Sequence, residues 1–152
     1  MRLALIIGIC FSTMINSALG TPQSSLESIL SEVHKNPPFS LSPRYIDFRP
    51  SGDLKKEIDD YVGTKSPAHL EELKTELFNA NDAYVALACI FMITHFEKTD
   101  VQSCLKDYNA FLNGKPAFQF TQKYPGRKEV LDEVNAILSS LQDQQMKGGG
   151  KP

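Results

Sequence analysis

His34, His69 and His95, together with Cys89 and Cys104, are the side chains of this chain best suited to hold a metal or to attack a carbonyl. A zinc site needs ligands that one helix face or turn can gather, as in H-E-x-x-H or paired Cys/His clusters, and neither pattern occurs. Nucleophilic catalysis needs Ser or Cys beside an oriented His, but the three histidines stand far apart and no G-x-S-x-G is present. His34 falls near a helix C-terminus, where the dipole favours a partly charged imidazole, and His69 in the first turn after Ser66-Pro67. Adjacent acids such as Asp59-Asp60 and Glu71-Glu72 point apart on a helix and read as solvated faces. The expectation is a non-enzyme with no catalytic residue, no metal and no cofactor.

His95 differs from the other two. It closes an apolar segment two residues before Glu97, where a polar side chain at the mouth of an apolar site could orient a ligand head group. Phe91, Met92 and Phe96 precede and follow it within about one helical turn, and an unbranched Met adapts to varied ligand shapes. Phe91, Met92, His95 and Phe96 are therefore the candidate set for a hydrophobic small ligand. The plainer alternative is a packed core, which a domain of this length needs in any case.

The elements that must position these residues begin after an apparent export segment. Residues 1–20 carry Arg2, an apolar run from Leu3 to Ile15 and small residues ending Ala18-Leu19-Gly20. That is the layout of a secretory signal peptide cleaved before Thr21. The apolar run reaches only about 20 Å as a helix, against a hydrocarbon core of about 30 Å, so a membrane span is not expected. Losing Arg2 lowers Lys plus Arg from 16 to 15 against 18 acids, leaving a mature charge of -3. A slightly acidic surface offers no broad basic patch for phosphate backbones, which argues against nucleic acid. The expected partner is a hydrophobic small molecule or an extracellular protein.

Losing Cys10 leaves Cys89 and Cys104 as an even pair in an oxidising compartment. A bridge closing a loop of about 15 residues would contribute about 3 kcal/mol on the chain-entropy model, and a disulfide is expected. The register opposes it. With a turn near Lys98, Cys89 lies about 13 Å back and Cys104 about 9 Å forward along their helices. Bridging, which needs Cα atoms within about 7 Å, thus calls for an earlier helix end or a crossed packing angle.

With 41% hydrophobic and 22% charged residues, the composition suits a globular chain rather than a disordered one. Leu26, Ile29, Leu30 and Val33 share a helix face over about 25–35, and Leu54, Ile58, Tyr61 and Val62 share another up to Gly63. Ser66-Pro67 starts a third helix, carrying Leu70, Leu73, Leu77 and Phe78. From Ala83 the chain is apolar on every face, so that segment must be surrounded by protein. Asn79 to Asp82 marks either a break between two helices or a bend in one, and a continuous or kinked helix is the favoured reading. A capping-box pattern at Thr99 begins the next helix, and Val130, Leu131, Val134, Ile137, Leu138 and Leu141 stripe the last, over about 127–145. Between these, residues 37–50 are expected as an ordered proline-rich loop, and 117–126 as a packed aromatic connector.

The predicted fold is all-α: a small bundle of five to six helices around an apolar central helix at about 83–96, with proline-rich and aromatic connecting loops. The predicted organisation is a signal peptide over 1–20, one helical domain over 21–146 and a flexible tail over 147–152. Size, helical class and export are shared with insect odorant-binding proteins, but two mature cysteines cannot supply their larger cysteine framework, so no residue role is carried over. The function expected is a secreted carrier of a hydrophobic ligand. The alternative is an extracellular interaction factor whose contact surface is the loop from Pro37 to Pro50, with Phe39, Tyr45 and Phe48 presented at low ordering cost.

Overall fold

A computed structural model describes residues 25–149. The expected signal peptide, its cleavage point before Thr21 and the end of the tail at 150–152 lie outside the described residues.

Six helices and one two-stranded sheet follow in the order α1 (Leu26–Lys35), β1 (Phe39–Leu41), β2 (Ile46–Phe48), α2 (Gly52–Gly63), α3 (Pro67–Asn79), α4 (Ala83–Ile93), α5 (Lys98–Asn113) and α6 (Arg127–Gly148). The all-α expectation holds. Ser25 caps α1 by accepting a hydrogen bond from the Ser28 amide at 3.2 Å, and Pro67 opens α3 directly after Ser66. No helix among the described residues is long and apolar enough to cross a membrane.

α4 is the centre of the molecule. Ala83, Ala86, Leu87, Ala88, Cys89, Ile90, Met92 and Ile93 are buried on it, and α3, α1, α6 and α2 pack around it while α5 lies along α6. Three alanines let neighbouring backbones approach closely, and each fully buried Leu or Ile contributes about 1.5–3 kcal/mol of transfer free energy.

Several expectations are corrected. The segment 79–82 is a true break: Ala80 is extended, with φ -63° and ψ 125°. Asp82 then caps α4, its Oδ1 accepting from the amides of Tyr84 at 2.8 Å and Val85 at 3.2 Å. A short acid ahead of an apolar run competes for backbone amides, and this ends one helix and starts another. The central helix is shorter than expected, stopping at Ile93 with Thr94 and His95 in a turn. At the other end α6 continues to Gly148, two residues into the stretch expected to be flexible.

The proline-rich connector is more ordered than a loop. β1 and β2 pair antiparallel with Phe39 opposite Phe48 and Leu41 opposite Ile46. The Arg49 amide extends the ladder by donating to Pro38 O at 2.7 Å, and Ser42 N donates to Tyr45 O at 3.0 Å to close the turn. A hairpin this short is marginal alone. It is held by α4: Phe48 stacks on Phe91 with centroids 5.5 Å apart, and Phe39 lies 5.5 Å from Tyr84. In the later connector Phe118 and Phe120 pack inward, Phe118 meeting Phe111 of α5 and Phe120 in edge contacts at 6.4 and 5.0 Å.

The expected disulfide is absent: Cys89 and Cys104 are free, buried thiols. α4 pairs mainly with α3 and α5 mainly with α6, and the two thiols, although near enough to interact electrostatically, are not bonded to one another. Burial raises the pKa of both thiols, that of Cys104 to about 11.

Candidate functional site

The four residues expected to bind a ligand occupy three different environments. Met92 is fully buried and Phe96 nearly so, both within the continuous core. Phe91 is half-buried beneath the hairpin, where Phe39 and Phe48 cover its ring. His95 is exposed in the turn after α4.

Of the other histidines, His34 has a partner that its sequence neighbours do not disclose. Its Nδ1 lies 2.5 Å from Oδ2 of Asp82, the one buried charged residue among those described. Since Asp82 Oδ1 already caps α4, the carboxylate joins the end of α1 to the start of α4, and the pair is a structural clasp. Among the described residues no hydroxyl or thiol hydrogen-bonds His34, so this pair makes no nucleophile. His69 stacks on Tyr61 at 4.1 Å, and its Nδ1 lies 3.0 Å from both the Tyr61 carbonyl and Thr64 Oγ1. Tyr61 donates from its hydroxyl to Glu72 at 2.6 Å. Burial, reinforced by that bond, raises the phenol's pKa.

The most distinctive surface lies elsewhere. A groove of about 330 Å³ runs between the hairpin turn and the first turns of α6, lined by Ser42 to Ile46 on one side and by Lys128, Glu129, Asp132, Glu133 and Ala136 on the other. Tyr124 also lines it. Tyr45 is 58% exposed and Tyr124 50%, so the two most exposed aromatic residues described converge on one place. Exposed tyrosines offer apolar area with little rotamer entropy to lose, which is why binding faces favour them.

Local chemistry sets both walls. Pro43 restricts the turn that carries Arg44 and Tyr45, and Ser42 Oγ accepts from the Arg44 amide at 3.2 Å. Opposite, Arg127 reaches back to cap α5 through Leu112 O at 2.8 Å, and Glu129 accepts from the Gly126 amide at 2.8 Å. Thr121 N donates to Asn81 O at 2.8 Å and Ala83 N donates to Gln122 Oε1 at 2.9 Å, which ties the connector before Tyr124 to the start of α4. The Tyr124–Pro125 peptide is cis.

Charges within the groove are unequally satisfied. Lys128 pairs with Asp132 at 2.5 Å, while neither Arg44 nor Glu133 forms an ion pair among the described residues. Glu133 is half-buried, and desolvation raises its carboxyl above the ordinary value. Tyr45 was legible as a contact residue; Tyr124, Lys128 and Glu133 were not, because polar residues on a helix and a lone Tyr before Pro have no sequence signal for meeting a distant turn. Comparison with protein-family models, with curated proteins and with solved structures finds no match.

Proposed function

We propose that the protein is an extracellular, non-catalytic interaction factor that engages a protein partner through the groove between the hairpin turn and α6. The observation that carries this reading is the convergence of Tyr45 and Tyr124, both at least half exposed, on one groove that also holds unpaired charges of both signs. Large exposed aromatics gathered on one face are characteristic of binding faces, and unpaired charges beside them are free to pair with a partner. Export rests on the signal-peptide layout of residues 1–20. A hydrophobic carrier draws less support, since Met92 and Phe96 lie inside packing and the hairpin aromatics already occupy the face of Phe91.

A photo-crosslinking amino acid placed at Tyr45, with a second variant at Asp59 on the exposed face of α2, tests the reading on protein secreted by its own cells. The expected result is one discrete protein adduct formed at Tyr45 and not at Asp59. Equal labelling at both positions, or stoichiometric retention of a lipid or small aromatic molecule in native mass spectrometry, would favour the carrier instead.

A further inference from the structure

We propose that this groove receives a cationic side chain of the partner, an arginine or a lysine, which lies against the rings of Tyr45 and Tyr124 and pairs with the carboxylate of Glu133. The inference rests on the groove being the partner-binding face and names the chemistry recognised there. Its basis is the charge left over once internal pairs are removed. On α6, Lys128 and Asp132 cancel one another, and Glu129 spends an oxygen on the Gly126 amide. The Glu133 carboxylate has no hydrogen bond or ion pair among the described residues, although the residue is partly buried. Among the described residues that line the groove on the hairpin side, the one charge is Arg44, exposed on the rim and unpaired; Asp47 and Arg49 of the hairpin pair with one another outside it.

A half-desolvated carboxylate is stabilised most by a cation brought to it, and tyrosine faces attract that cation through their ring quadrupoles. Guanidinium satisfies both at once, because its plane can stack on a ring while its edge donates two hydrogen bonds to a carboxylate. An anionic ligand would instead face Glu129, Asp132 and Glu133 together. Arg44 opposes an incoming cation, so its removal should help. Desolvation raises the Glu133 carboxyl, and a bound cation should lower it again.

The test is a titration of the folded protein, followed by NMR, with N-acetyl-arginine amide and with N-acetyl-norleucine amide as a control of similar length and no charge. The arginine probe should shift Tyr45, Tyr124 and Glu133 together. Glu133→Gln should weaken it about tenfold, Arg44→Ala should tighten it about threefold, and binding should fade as pH drops and Glu133 takes up its proton. Preserved amide spectra of both variants exclude misfolding as the cause. Equal binding of the norleucine probe, an unaltered affinity in Glu133→Gln, or no shift at about 100 mM probe overturns the inference. The probe needs no partner and the crosslink needs no cation, so each can fail alone. A partner captured at Tyr45 whose contact segment lacks Lys and Arg sinks only the cation; adducts that avoid Tyr45 sink the binding face.

Discussion

α4 and the hairpin–α6 groove spend the chain's aromatic and apolar residues in opposite ways. Around α4 every large side chain meets protein, and the one buried charge beside it, Asp82, has both carboxylate oxygens occupied. At the groove two tyrosines face water, and Glu133 and Arg44 go unpaired. The first arrangement supplies stability; the second contributes little to it and holds the exposed aromatics and unpaired charges that the proposed contact would use. Apolar abundance by itself therefore does not locate function. What marks the groove is unsatisfied surface, whose cost the packed core can absorb.

The sharpest way to break this contrast is to cut into each side. Leu87→Ala should destabilise the protein by about 2–5 kcal/mol, since a fully buried leucine leaves a cavity among neighbours that cannot close it. Denaturant unfolding measures this, and a loss below about 1 kcal/mol would mean that α4 is less tightly enclosed than its burial indicates. Asp82→Ala should cost about 1–2 kcal/mol by removing the cap of α4 together with the His34 clasp.

Alkaline pH attacks the same interior more gradually. Burial raises Cys89, Cys104, Tyr61 and Tyr108 in the folded state. The unfolded chain therefore gives up these protons at lower pH than the native one, so stability is full at neutral pH and falls as pH rises above about 9. For Cys104 the loss is spread between its ordinary 9.0 and about 11. Urea midpoints between pH 7 and 11 should decline along this window. A thiol count sharpens the point: Cys89 and Cys104 should resist a disulfide reagent in native protein and both react after unfolding. A bridged pair would leave both silent in each state.

The groove should behave in reverse. Glu133→Gln removes a carboxylate whose folded pKa is raised, so it should stabilise slightly at neutral pH, by no more than about 0.5 kcal/mol for a group still partly open to solvent, with the gain vanishing in acid as the native carboxyl protonates. Smallest of all, the double substitution Tyr45→Ala with Tyr124→Ala should leave the unfolding midpoint within about 0.5 kcal/mol of the parent while abolishing crosslinking at the groove. A large stability loss there would make the tyrosines part of the core and erase the distinction.

Sequence periodicity made most helices legible, since a one-sided stripe such as Val130, Val134 and their neighbours needs only a 3.6-residue repeat to be seen. The buried character of α4 followed from its lack of any polar face. Less legible was the hairpin: Phe39–Leu41 and Ile46–Phe48 are too short for alternation to register, and they become strands because α4 offers Tyr84 and Phe91 as a floor. The joint at 79–82 was misjudged because capping by Asp82 and continuation of the helix are both locally feasible.

The sequence by itself determined an all-helical chain with one element that has to be interior, because local propensity and hydrophobic period are properties of neighbouring residues. Only tertiary packing decided that His34 meets Asp82, that Cys89 and Cys104 stay as free buried thiols, and that the turn carrying Tyr45 stands across from Glu133. Those outcomes depend on which helix lies beside which, and that choice is set by the whole core at once rather than by any segment of it.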